Sequence, residues 1–118
     1  MYIRAYREKI AVVRNLSQAE NTEVNMDEKT LERKLVQAVK NMGGLCLKFV
    51  SPGFDGVPDR IVLLPRKRMA FVEIKTTGLK MRPIQVRRKR QLEMLGFSVY
   101  CLDRPEQIGV ILNEILST

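Results

Sequence analysis

Two acids and a lysine stand out in two largely apolar stretches: Asp59 in GVPDRIVLLP (56–65), then Glu73 and Lys75 in FVEIK (71–75). A strand turns alternate side chains to opposite faces, so Phe71, Glu73 and Lys75 share one side while Val72 and Ile74 take the other. Two residues of strand rise set the acid and the lysine about 7 Å apart. Asp59 follows Pro58, whose fixed φ and missing donor suit the start of a strand. If the two strands pair, as short connections favour, Asp59 and Glu73 converge. Carboxylates held that close repel unless a cation lies between them.

That donor set suits a hard divalent ion such as Mg²⁺, which takes oxygen ligands and keeps exchangeable waters. The chain of 118 residues contains no histidine, and its two cysteines, Cys46 and Cys101, lack metal-ligand spacing. Zinc is therefore disfavoured, and no mechanism can use an imidazole. The cysteines read as buried, reduced thiols in strands. A lysine beside such an ion could orient a nucleophile and stabilise charge developing on phosphate, which gives metal-assisted phosphodiester hydrolysis as the reaction class. Each acid alone has an ordinary reading, as a turn residue at Asp59 or an ion-paired strand face at Glu73 and Lys75. The combination and its thirteen-residue interval carry the specificity.

The elements that would position these groups follow from periodicity. Leu31, Leu35, Ala38, Val39 and Met42 form one helical stripe, with Asn25 or Asp27 available as N-cap, and Gly43 and Gly44 end it. Residues 45–50 predict a strand, 51–58 a loop, 61–64 a strand buried on both faces, and 70–75 another strand after a turn at Arg66, Lys67 and Arg68. Residues 76–82 form a loop, and Pro83 opens a helix to about Leu95 that Gly96 stops. A strand at 97–102 and a closing helix at 105–116 complete the order. Residues 1–25 stand apart. Ile3, Tyr6, Ile10 and Val13 recur at helical spacing ahead of a polar linker at 17–25. This segment reads either as an arm packing on the domain or on a partner subunit, or as an extension upstream of a domain beginning at Met26.

One domain accounts for the length, and 45% apolar residues support a modest core. No apolar run approaches a membrane span or a secretory signal, so a soluble, intracellular, cytoplasmic protein is expected. Twenty-one Lys and Arg against 13 Asp and Glu give a net charge of +8, which favours nucleic acid over an anionic membrane surface.

The stretches ERKLVQAVKNMGGLCLKF, SPGFDGVPDRIVLLP, FVEIK, Gln85 and LGFSVYCL together resemble the virus-type replication-repair nuclease (VRR-NUC) domain of the PD-(D/E)XK superfamily, over residues 26 to about 103. The resemblance implies an α/β fold with a restriction-endonuclease-like core of helix, three strands, helix and strand, here followed by a C-terminal helix, with the nuclease domain at 26–118 and the extension at 1–25. It assigns Asp59 and Glu73 as metal-binding acids, Lys75 as the catalytic lysine and the Ile74 carbonyl as a backbone ligand for Mg²⁺ or Mn²⁺. A helix-borne acid corresponds to Glu32, about 60° from Leu35 around the helix, with Glu28 as competitor; either could instead serve the helix dipole. Gln85 matches a polar position near the site, where an amide could hold the lysine or a phosphate. The resemblance further implies DNA as substrate, four-way (Holliday) junctions in particular, a homodimer, and a viral or prokaryotic context. A noncatalytic nucleic-acid-binding module on the same fold is the alternative.

Between residues 60 and 90, eleven Lys or Arg face the single acid Glu73, a net +10. Arg66, Lys67, Arg68, Lys80, Arg82, Arg87, Arg88, Lys89 and Arg90 are therefore the expected phosphate contacts. The loop at 51–57, with Gly53 and Gly56, would shape access to the site. An aromatic content of 6% argues mildly against a stacking surface for single strands.

Overall fold

A computed structural model describes residues 27–76 and 78–118. Both expectations for residues 1–25 lie outside the described residues. Asp27 caps the first helix, α1 (Glu28–Asn41): its Oδ1 accepts the Thr30 amide at 2.7 Å and satisfies a donor that the first turn leaves open. Leu31, Leu35, Ala38 and Val39 are buried along its inner stripe, as their spacing predicts. The chain then reverses through Gly43 and Gly44. A side chain at Gly44 would overlap the Leu63 carbonyl oxygen and crowd Leu64, so the close approach of the α1 end to the sheet requires glycine there.

Four strands follow the expected order: β1 (Leu45–Lys48), β2 (Arg60–Leu64), β3 (Arg68–Ile74) and, after helix α2 (Pro83–Met94), β4 (Val99–Leu102), with helix α3 (Gln107–Leu116) closing the chain. The sheet runs β1-β2-β3-β4, antiparallel except for the β3–β4 pair. A parallel pair needs a crossover, and α2 supplies it. β3 is central and buried along most of its length.

One sheet face carries the core. Val62, Leu64, Ala70, Val72, Ile74 and Leu102 pack beneath α1 and α3, where Ile108, Ile111, Leu112 and Ile115 meet Leu31 and Leu35. The other face carries the alternate residues Ile61, Phe71, Glu73, Val99 and Cys101, with a row of rings in which Phe71 lies 5.5 Å from Phe49 and 5.9 Å from Phe97 between centroids. Leu45 and Leu47, at the β1 edge of that face, keep 59% and 44% of their surface in solvent.

Two expectations need correction. Cys101 is exposed, because it points away from the α1–α3 layer, while Cys46 is half-buried and both thiols are free. Residues 61–64 are not buried on both faces: Val62 and Leu64 are, but Ile61 and Leu63 look toward the more open side. Among the described residues, no helix is long and apolar enough to cross a membrane.

Candidate active site

The β2–β3 register pairs Arg60 with Val72, which sets Asp59 across from Glu73 at the open end of the hairpin. Asp59 Oδ2 accepts the Ile74 amide at 2.8 Å, so its carboxylate extends the ladder one step beyond the strand pairing and is fixed in direction. On its other side, the Asp59 carbonyl accepts the Phe49 amide at 2.9 Å and closes the loop between β1 and β2. The neighbouring Lys75 amide donates to the Leu102 carbonyl at 2.9 Å. The acid pair and the lysine thus stand at the ends of two paired strands, β2 and β3, with β1 and β4 tied to them by backbone bonds.

Glu73 is 1% exposed, and neither of its carboxylate oxygens has a hydrogen-bond donor. Burial pushes its carboxyl up to about 8; the adjacent Asp59 carboxylate adds to the rise and the Lys75 charge opposes it. Protonated, Glu73 can share its proton with Asp59; ionised, the two acids form a negative pair that Lys75 offsets only in part. A buried pair of this kind is stable at neutral pH with either a proton or a cation in it.

Two acids of α1 reach toward this end of the sheet. Arg60 leaves β2 on the core side, and its Nε donates to Glu32 Oε2 at 2.7 Å while a guanidinium NH₂ group reaches the Cys46 carbonyl at 3.2 Å. Glu28 accepts from the Thr76 amide at 3.2 Å and from its hydroxyl at 3.5 Å, just past Lys75. Both candidate helix acids therefore sit at the same end of the sheet as Asp59 and Lys75, Glu32 bound to the residue after Asp59 and Glu28 to the residue after Lys75. Among the described residues, no three His, Cys, Asp or Glu side chains gather as a metal-binding group, so Asp59 and Glu73 converge without Glu32.

The chain was compared with known proteins. No family model matches it. A phage protein named "Putative nuclease p44", from Acyrthosiphon pisum secondary endosymbiont phage 1, is 43% identical over 84 residues, which cover 71% of this chain and 90% of that one. A solved structure titled VRR_NUC domain superposes with a TM-score of 0.70 and 28% identity over 73% of this chain and 94% of its own. The chain belongs to the VRR-NUC nuclease family.

In this VRR-NUC chain the remaining anticipated residues divide into two groups. Gln85 is buried, and its Oε1 accepts the Arg82 amide at 2.8 Å, so its amide oxygen closes the first turn of α2. Arg66 and Lys67 form the tip of the β2–β3 hairpin, the end opposite Asp59, about 17 Å away by five residues of strand rise. Arg68 donates to the Leu116 carbonyl at 3.3 Å and finishes α3. Lys89 is paired with Glu93 at 2.8 Å. Lys80, Arg82, Arg87 and Arg90 are exposed along the segment that leaves β3 and runs through α2.

Sequence reasoning missed Arg60, which it took only as a charge. An arginine beside the motif acid, with an unpaired acid on the preceding helix, was the available signal. Phe54 was missed as well. It stacks under the Arg88 guanidinium, 3.7 Å from the ring centroid, while Arg88 Nε donates to the Asp55 carbonyl at 2.7 Å.

Proposed function

We propose that this chain is a Mg²⁺- or Mn²⁺-dependent endonuclease that hydrolyses phosphodiester bonds of branched DNA, four-way junctions among them, as a homodimer. The observation that carries the reading is the Glu73 carboxylate, buried without a donor and opposed by Asp59. Two carboxylates in that arrangement fit a hard cation, and Asp59, Glu73 and the Ile74 carbonyl would hold it. Such an ion polarises water and phosphate oxygen and neutralises the acid pair.

The chain's own groups supply the rest. The Ile74 amide keeps one oxygen of Asp59 fixed and leaves the other for the ligand. Lys75, two residues from Glu73 on the same face, holds positive charge where negative charge builds on the phosphate as a water oxygen joins phosphorus and the leaving oxygen departs with a proton. Glu32 acts through Arg60, setting the guanidinium that braces the start of β2. Lys80, Arg82, Arg87 and Arg90 would bind backbone phosphates flanking the cut. The dimer is supported by the exposed apolar side chains of Leu45 and Leu47 at the β1 edge of the sheet.

The test is cleavage of a labelled four-way junction beside duplex, flap and single-strand controls, with Mg²⁺, Mn²⁺ or EDTA. Metal-dependent symmetric nicks, absent with Asp59→Ala, are the expected result. Binding without cleavage in either metal would assign a noncatalytic module on the same fold.

A further inference from the structure

The loop between β1 and β2 ends on Asp59 and carries Phe54 near its middle. A loop of this length, rich in glycine, would ordinarily sample many shapes. Here three contacts fix it. The Phe49 amide and the Asp59 carbonyl close its base at 2.9 Å. Gly56, with φ of 87°, presses against α2 so closely that a Cβ would lie 2.8 Å from the Ile84 side chain and 2.9 Å from its carbonyl oxygen. Arg88, one turn further along α2, reaches back to the Asp55 carbonyl and is itself oriented by Gln91 at 3.0 Å.

The guanidinium of Arg88 covers one face of the Phe54 ring, yet Phe54 remains 43% exposed. Its open area is therefore the opposite face and the edge. The ring is held at the loop with a cation behind one face and the other face turned to water. The ring neither enters the core nor joins the row formed by Phe49, Phe71 and Phe97. It also stands on the same short loop as the acid that begins the active site. A nucleobase has the flat π-face that such a ring accepts, and only a base released from its pair can present that face.

We propose that Phe54, positioned by Arg88, is a stacking platform for an unpaired base of the DNA substrate, and that it directs cleavage to branched or distorted sites. The inference rests on the nuclease reading for its substrate and goes beyond it in naming what distinguishes a branch from plain duplex. It also gives Arg88 a different task from its neighbours: its charge organises the loop, and Arg87 and Arg90 are left to meet phosphate.

The test uses the full chain in EDTA, so that binding is read without turnover, and DNA that carries a fluorescent purine analogue either at an unpaired branch position or within the duplex arm. Wild type is expected to quench the unpaired probe and to leave the duplex probe unchanged. Phe54→Leu should abolish the quench and weaken binding to the branched DNA by about 5- to 150-fold, the range for losing one stacked base, with duplex binding within about twofold. Phe54→Trp should keep both. Arg88→Lys, which retains charge and loses the Nε bond to the Asp55 carbonyl, should lower the quench. An unchanged branch-to-duplex ratio in Phe54→Leu, or no quench by wild type, overturns the proposal. Because no metal is present, these results stand apart from the cleavage assay: loss of cleavage alone would count against the nuclease reading and leave the stacking result intact.

Discussion

Replacing Glu73 with glutamine should stabilise the metal-free protein, and by an amount that depends on pH. Glu73 in the folded chain titrates near 8 against an ordinary value of 4.5. Below about pH 4.5 both folded and unfolded states hold the proton, and wild type and Glu73→Gln should be nearly equal in stability. Between about 4.5 and 8 the unfolded chain releases its proton while the folded one keeps it, so wild-type stability falls by about 1.4 kcal/mol for each pH unit. At pH 7 the variant should lead by about 3 kcal/mol, and above pH 8 the gap should level off near 4–5 kcal/mol. The adjacent Asp59 carboxylate contributes to that rise after burial. The glutamine amide can donate to Asp59 as the protonated acid does, which preserves the contact. Urea unfolding of both proteins in EDTA at intervals from pH 4.5 to 9 gives the gap directly. A gap that does not change with pH, or one that is largest in acid, would refute the account of Glu73 as a buried acid kept neutral by its surroundings.

Glu32→Ala leaves the half-buried Arg60 guanidinium without its carboxylate and should cost about 1–3 kcal/mol, with Glu32→Gln milder; chemical denaturation checks both. Gly44→Ala would force a side chain onto the Leu63 carbonyl and should cost at least about 2 kcal/mol, read as a lower unfolding midpoint at unchanged denaturant slope. Arg66 and Lys67 have φ of 66° and 63°, a region that asparagine and glycine tolerate better. Their joint change to Asn-Gly should raise stability by about 1 kcal/mol, or about 4–8 °C in melting temperature.

The order of helices and strands was legible because burial has a period. Leu31, Leu35, Ala38 and Val39 could occupy one face only as a helix, while the short apolar run around Glu73 is buried on both faces as a central strand. Asp59 and Glu73 were legible as a pair because two short strands joined by a turn have few ways to meet. The partner of Glu32 was not, since it sits 28 positions away and its choice depends on how α1 lies across β2. The basic run could not be sorted from sequence, for a related reason. Composition treats Arg68, Arg88 and Lys89 as equal to Arg87 and Arg90, but the first three have protein acceptors within reach, and only three-dimensional packing tells them apart. Gln85 fitted the family pattern and yet spends its amide oxygen on its own helix, a local competition that side chains near an N-terminus often win.

The bond from the Ile74 amide to Asp59 gives the site a built-in spectroscopic reporter. That proton is shared with a side chain and not with a strand neighbour, so its magnetic environment follows the carboxylate directly. Its resonance would shift when Asp59 gains a proton or a cation, while the amides one step back along β3, bonded within the sheet, would hold still. A single backbone signal could thus follow occupancy of the site in solution, without a substrate and before any bond is cut.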